Sequence, residues 1–325
     1  MRDPRPEPPH AALSTDCPGS WSVVATTLPD ESLVIPFIAH HLAIGAREVF
    51  LFVDSNAIPE SMRLHEDPRI RVTACDDQHW AATCGSRPGH IGARQMANAA
   101  VARRAATADW MLHCDTDEFL AAERGVSDTL AQMPDHVFSI LLDPWEAVFD
   151  REPSCVADAL ATPLFRHPLP SISEPACQRL YGGFRGLTLH GLAGHIAGKS
   201  IVRRSMTIGV DSVHRPLPAD PSRTALARVS DMGIAHFHAP TFARWLAKWG
   251  GDPELEPGPS LRRRREHVKQ AITLVHDRLL HHDLDALHQA FRSLYVFDDP
   301  DRLALAQEIG LVTTRSGLVG RRNPS

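Results

Sequence analysis

Apolar residues along the chain fall into short β-branched runs separated by stretches with helical spacing. Trp21 to Thr26 (Trp-Ser-Val-Val-Ala-Thr) is the first such run and predicts a strand. Pro29, Asp30 and Glu31 interrupt it and can start a helix; Leu33 to Ile44 carries apolar residues at helical spacing, and Gly45 ends it. Glu48 to Val53 predicts a second buried strand that stops at Asp54-Ser-Asn56. Ile70 to Thr73 predicts a third, Trp110 to Cys114 a fourth ending at Asp115, and Val137 to Leu142 a fifth. Gly92 to Ala108 is rich in Ala and strong helix formers, so a helix precedes the fourth strand. Strands alternating with helices imply an α/β architecture with a mainly parallel sheet flanked by helices.

The second half is less regular. Pro163 to Pro175 is rich in Pro and Ser and reads as loop. Lys199 to Val202 and Ile234 to His238 predict further short strands, and the chain turns helical from Thr241. Gly250 to Ser260 has the composition of a linker, and Leu261 to Leu294 reads as one or two polar helices. Three regions result: a Pro-rich, disordered lead-in over 1–20, an α/β domain over 21–240 and a helical C-terminal region over 241–325.

Composition narrows the function classes. With 325 residues, 43% apolar and 22% charged, the chain can bury a substantial core without staples. A net charge of -5 provides no basic field to recruit nucleic acid. The six cysteines form no C-x-x-C pair, and the N-terminus lacks the apolar stretch of a signal peptide. No run approaches the ~18 apolar residues needed to span a bilayer. Reduced thiols and a cytoplasmic location follow, with an attachment at the inner face of the membrane left open. The Arg262 to Arg265 run is a solvated helix face or a peripheral contact with anionic lipid. Lysine is scarce: Lys199, Lys248 and Lys269 are the only three. Nineteen histidines raise the question of metal chemistry.

The sharpest local feature is His113-Cys-Asp115-Thr-Asp117-Glu118. Residues i and i+2 of a strand face one side, so Asp115 and Asp117 are expected to converge at the carboxyl end of a buried strand, where open α/β sheets bind ligands. Clustered carboxylates suit Mg²⁺ or Mn²⁺, which can hold a diphosphate as a leaving group. The plain alternative is an acidic turn that caps the next helix, and Glu118 reads as such a helix-start residue.

The flanks of this motif carry more. Ile91-Gly-Ala-Arg94-Gln-Met-Ala-Asn98 precedes Ala-Asp-Trp-Met-Leu-His-Cys-Asp-Thr-Asp, and Ile35-Pro-Phe-Ile-Ala-His40-His41-Leu-Ala-Ile-Gly45 precedes Val49-Phe-Leu-Phe-Val-Asp54-Ser-Asn56. In this order they resemble glycosyltransferase family 2, in the bacterial branch related to the family-92 enzymes. Pro36 stands where that branch has Trp, and Gln95 where it has Asn. The resemblance covers about residues 21 to 120. It continues loosely through Tyr181 to Arg185, Gly198 to Arg203, His214-Arg-Pro216 and His236-Phe-His238. It implies a GT-A type, Rossmann-like fold that binds a nucleotide-diphosphate sugar with Mn²⁺ or Mg²⁺ at the D-x-D. It implies an inverting transfer to a hydroxyl of a glycan or glycolipid acceptor in surface polysaccharide synthesis.

By that resemblance Thr27, Glu31, Asp54, Arg94, Asp115 and Lys199 line the nucleotide-sugar pocket. Asp115, Asp117 and His236 hold the metal, with His238 as the alternate to His236. Gly182, Gly183 and Arg185 form a wall near the diphosphate. Asp211 is the choice for the general base that takes the acceptor proton, with His214, Asp143, Glu146 and Glu174 as competitors. His40 and His41 read as structural residues of an amphipathic helix. Competing readings are a sugar nucleotidyltransferase, which would show a Gly-rich basic loop after the first strand, an aspartate-nucleophile phosphatase, whose motif would open the domain, and a catalytically degenerate transferase-like domain that binds glycan or a partner.

Overall fold

The structure is a computed structural model and describes residues 19–62, 67–210, 212–223, 227–250 and 266–319. Strand β1 (Trp21–Thr27) is entirely buried and pairs in parallel with β2 (Glu48–Val53) and β4 (Trp110–His113); β3 (Ile70–Ala74) adds in parallel to β2. Helix α1 (Glu31–Ala43) makes the first crossover, and α3 (Ile91–Ala105) makes the one into β4. The β-branched runs fit because both sheet faces are covered. Val23, Ala25, Val49, Leu51, Trp110 and Leu112 point into the large core, while Val24, Phe50, Phe52 and Met111 point into a smaller one roofed by Trp80, Ala102 and Ala106. Trp80 is the single buried residue of α2 (Asp77–Cys84), a helix too short to leave a periodic signal.

Beyond β4 the sheet becomes mixed. Strand β8 (Lys199–Arg203) runs antiparallel to β4 and to the start of β6 (Ser139–Val148). Strand β7 (Leu164–Arg166) pairs antiparallel with the end of β6, and β12 (Val312–Thr314) pairs antiparallel with β7. Along the other side of β6 runs β11 (Ala227–His236), which also pairs antiparallel with β5 (Glu118–Ala122). The remaining elements are α4 (Val126–Ala131), α5 (Val156–Leu160), α6 (Glu174–Tyr181) and the hairpin of β9 (Ile208–Val210) with β10 (Leu217–Pro218). Among the described residues four helices follow β11: α7 (Phe242–Gly250), α8 (Glu266–Leu280), α9 (Leu284–Tyr295) and α10 (Pro300–Glu308). Their apolar faces, through Trp245, Val275, Phe291 and Leu294, join the same core as the sheet.

The expected α/β architecture with helices on both faces is the one present, and the central β3-β2-β1-β4 block is parallel throughout. Three local expectations change. The Pro163 to Pro175 stretch is not all loop: Leu164-Phe-Arg166 is held as a strand by partners on both sides, and Glu174 opens α6 with the Ser173 hydroxyl capping it. The fourth strand stops at His113, so Asp115 and Asp117 do not share a strand face but sit in a turn. Glu118 starts no helix; it is the first residue of β5, in register with His236. Residues 1–18, the Gly250 to Ser260 linker beyond Gly250, and Arg262 to Arg265 lie outside the described residues. Among the described residues no helix is long and apolar enough to cross a membrane.

His40 and His41 are structural, as expected. His41 Nδ1 bonds the Phe37 carbonyl at 2.8 Å, His40 Nε2 bonds the Leu120 carbonyl at 2.8 Å, and both rings pack against Phe119. Burial pushes the His40 and His167 pKa values down to about 4 and holds that of His41 well below its usual value. Above pH ~6.5 both folded and unfolded chains carry these rings neutral. As pH falls below that, the unfolded chain takes up protons that the folded one refuses, at about 1.4 kcal/mol per pH unit for each histidine. The expected outcome is a fall in the urea-unfolding midpoint that begins near pH 6.5 and steepens toward pH ~5, above the range in which most carboxylates titrate. A midpoint constant from pH 7 to pH 5 would show that these rings charge freely in the fold.

Candidate active site

The order β3-β2-β1-β4 places a topological switch between β1 and β4, and the loops leaving their carboxyl ends diverge into a crevice. Thr27, Asp54 and the 115–118 turn stand at that edge. Helix α3 ties the strand ends together. Arg94 Nε meets Asp54 Oδ2 at 2.9 Å, Gln95 donates to Asp115 Oδ1 at 2.5 Å, and Asn98 donates to Thr26 Oγ1 at 3.0 Å. The Asp54 side chain is 3% exposed and also pairs with Arg87 at 3.0 Å. Thr27 Oγ1 is 3.1 Å from Thr116 Oγ1, so the first strand end touches the acidic turn. Glu31 opens α1 and accepts a hydrogen bond from Ser61 on the exposed side, apart from these partners.

The acidic turn is closed by its own groups. The Glu118 N–H donates to the Asp115 carbonyl at 3.0 Å, and the Asp115 N–H donates to Glu118 Oε2 at 2.9 Å. This folds the Glu118 carboxylate inward. Lys199, the first residue of β8, is fully buried and lies 2.9 Å from Asp115 Oδ2 and 3.1 Å from Glu118 Oε2. Burial opposes a charge on this lysine, but Glu118 and Asp115 outweigh it and hold the ammonium protonated above its usual range. The same pairing holds Glu118 ionised, well below the usual carboxylate range, against its burial. Lys199 reaches this place because Gly198, with φ +65°, packs so tightly against the Leu142 carbonyl that no side chain would fit.

Asp117 points the other way, toward His236 Nε2 at 3.7 Å and Lys248 Nζ at 3.6 Å. Burial would raise the Asp117 pKa, yet Lys248 and His236 bring it down to about 2. His236 is buried, and its pairing with Asp117 overcomes that burial and raises its pKa. Two of the three lysines of the chain therefore meet at one turn. A second imidazole, not foreseen in the sequence, completes the cluster: His195 Nε2 lies 3.5 Å from Glu118 Oε1. One donor atom from each of Glu118, His195 and His236 lies within 4.8 Å of the others. Glu118 Oε1, His195 Nδ1 and His236 Nδ1 are buried without a hydrogen-bond partner, so the pocket holds polar capacity that the fold does not satisfy. This donor set fits a divalent cation. The His214, His195, His236 and His238 rings run in a row with centroids 4.7, 5.2 and 5.3 Å apart.

A buried ion pair holds the His195 loop. Glu146 and Arg166 are both fully buried and joined side by side. Glu146 also accepts the N–H groups of Ala193 at 3.1 Å and Gly194 at 2.5 Å, and Arg166 donates to the Leu294 carbonyl at 2.7 Å. A side chain at Gly194 would strike Glu146 and His238. Glu146, once a competitor for the general base, is thus committed to structure. His238 is committed as well: its Nδ1 is 2.7 Å from the Tyr295 hydroxyl. Arg185 pairs with Glu174 and Gln178 on an exposed turn, and Asp143 pairs with Arg228. Asp211 lies outside the described residues. On the α3 side of the β4–β8 pair is a cavity of about 440 Å³ lined by Arg103, Arg104, Met111, His113, Ser200 and Val202, which none of the acidic-turn residues lines.

No family model and no curated protein matches the chain. Solved structures do. Galactosyltransferase LgtC in complex with donor and acceptor sugar analogs aligns at 11% identity and a TM-score of 0.25, over 56% of this chain. The chain spans 58% of that protein's length. An active-site mutant of LgtC aligns at 10% identity and a TM-score of 0.31, over 78% of this chain and 95% of that one. Likeness of this size leaves the chemistry to be read from the side chains.

Proposed function

We propose that the chain is a metal-dependent glycosyltransferase that moves a sugar from a nucleotide-diphosphate donor to a hydroxyl acceptor. The observation that carries the reading is the acidic turn at the switch point between β1 and β4, faced by two lysines and two histidines. A nucleotide bound across this crevice meets Asp54 and Thr27 on the β1–β2 side. Arg94 and Arg87, now paired with Asp54, are the cations nearest that side. The diphosphate comes to the acidic turn. A divalent ion held there by the Asp117, Glu118, His195 and His236 side chains supplies charge neutralisation for the departing nucleoside diphosphate. Lys248, whose side chain is 38% exposed, lies beside Asp117 and adds a second positive charge for the leaving group. Lys199, buried beneath, keeps Glu118 ionised and fixed. An inverting course with Asp211 as base, a glycan or glycolipid acceptor, and a role in surface polysaccharide synthesis belong to the same proposal.

Calorimetry with UDP and GDP, with and without Mn²⁺, tests it together with a donor screen for released nucleoside diphosphate. Metal-dependent nucleotide binding is expected, and Asp117→Ala is expected to lower turnover at least about 100-fold. Absence of nucleotide binding with every metal tried would overturn the reading. Nucleotide binding without any turnover would leave a degenerate, binding-only protein.

A further inference from the structure

Ligand geometry at the acidic turn says more than that a cation fits. A hydrogen bond between an imidazole and a carboxylate runs about 2.7–3.2 Å. Both facing pairs here are longer: 3.5 Å for Glu118 Oε1 to His195 Nε2 and 3.7 Å for Asp117 Oδ2 to His236 Nε2. Two ligands of one tetrahedral ion with bonds of about 2.1 Å stand about 3.4 Å apart. The pairs are thus spaced as co-ligands, not as hydrogen-bond partners, and Glu118 Oε1 has no hydrogen-bond partner. The four groups come from three places: the turn, the 193–195 loop and the end of β11. Each is fixed by bonds made elsewhere. Glu118 Oε2 is held by Lys199 and the Asp115 N–H, the 193–195 backbone by Glu146, and β11 by its ladders to β5 and β6. Asp115 is not in the set. Its two oxygens are taken separately, Oδ1 by Gln95 and Oδ2 by Lys199.

We propose that the centre is a two-histidine, two-carboxylate site made by Asp117, Glu118, His195 and His236, that it selects imidazole-accepting transition ions such as Mn²⁺, Co²⁺ or Zn²⁺ over Mg²⁺, and that Asp115 is not a ligand. Mg²⁺ retains an octahedral shell of oxygen and parts reluctantly with water, so two imidazoles make a poor site for it. The inference rests on the transferase reading only for what the ion is used for; Glu118, His195 and His236 are grouped by their mutual distances, and Asp117 is added through its 3.7 Å approach to His236.

The test is calorimetric titration of the metal-stripped full chain with Mn²⁺, Co²⁺, Zn²⁺ and Mg²⁺ in the absence of nucleotide. Mg²⁺ is expected to bind at least about 100-fold more weakly than the transition ions. The visible spectrum of the Co²⁺ form reports nitrogen ligation directly. His195→Gln and His236→Gln are each expected to weaken Mn²⁺ binding at least about 100-fold and to change that spectrum, while Asp115→Asn holds Mn²⁺ affinity within about threefold. Circular dichroism and thermal unfolding in chelator show whether each variant is folded. If a glutamine variant fails to fold, the selectivity series on the parent chain and the Asp115→Asn titration still decide the matter. Equal affinity for Mg²⁺ and Mn²⁺, or an Asp115→Asn loss as large as that of His195→Gln, overturns the inference. Metal selectivity without nucleotide binding would sink the transferase reading and leave the metal centre standing.

Discussion

Replacing Lys199 by methionine is expected to destabilise the metal-free protein by about 3–5 kcal/mol, the usual effect of removing one partner from a buried ion pair. Methionine keeps the volume and apolar length of the side chain, so little of the loss comes from packing. It comes from Glu118, whose side chain is 1% exposed and has Lys199 as its close cationic neighbour. Asp115, at 35% exposure, recovers part of its solvation and contributes less. The same substitution has an opposite effect on the cation. With one positive charge gone, the turn becomes a more negative site, and added Mn²⁺ restores the missing charge. Urea unfolding in chelator and in excess Mn²⁺ separates the two: a low midpoint in chelator, and a metal-induced rise larger than that of the parent chain. A variant as stable as the parent in chelator would show that Glu118 does not depend on Lys199.

Arg166→Met is the second large effect, again about 3–5 kcal/mol, because Glu146 is left ionised in a fully buried position with only two backbone N–H groups as partners. The double variant Glu146→Leu with Arg166→Met is expected to regain much of that stability, since an apolar pair of similar volume replaces the desolvated ions. It does not regain the site. The N–H groups of Ala193 and Gly194 lose their acceptor, and the loop that carries His195 is freed. Thermal unfolding of both variants, read beside Mn²⁺ titration, distinguishes the roles: stability recovers in the double variant and metal affinity stays low. Parallel recovery of both would mean that the ion pair supports the fold but not the His195 loop.

These dependencies explain which parts of the site were readable from the chain. The parallel β1, β2 and β4 strands were, because burial on both faces leaves uninterrupted β-branched and aromatic runs. Asp54, Arg94, Asp115, Lys199, Asp117 and His236 stand close to one another or in shared pairs because they flank those strands or begin and end others. His195 was not readable. It lies in a loop, Leu189-His-Gly-Leu-Ala-Gly-His195-Ile-Ala-Gly198, with neither helical nor strand spacing, and its position is set by Glu146, 49 residues earlier. The available signal was the density of Gly and His just before one of three lysines. Glu118 was misread for a related reason. Acidic residues after a D-x-D suit a helix start, but Phe119, Leu120 and Ala121 are buried by pairing with β11, more than a hundred residues downstream. Tertiary pairing also decided β7, whose Leu-Phe-Arg sits in Pro-rich surroundings and becomes a strand only between β6 and β12.

That last strand has a consequence for how the protein comes into being. A chain emerges from the ribosome N-terminus first, and β1 to β4 can associate early, since their partners lie within about a hundred residues. Arg166 gains its Leu294 acceptor and β7 its outer partner only once residues 294–314 have been synthesised. Until then a nascent polypeptide carries an unfinished sheet edge and a cationic side chain with part of its coordination missing. The acidic turn is thus translated long before the 294–314 segment that completes the packing beneath it. A prematurely terminated product would present an open strand to chaperones and proteases rather than circulate as a partly folded protein.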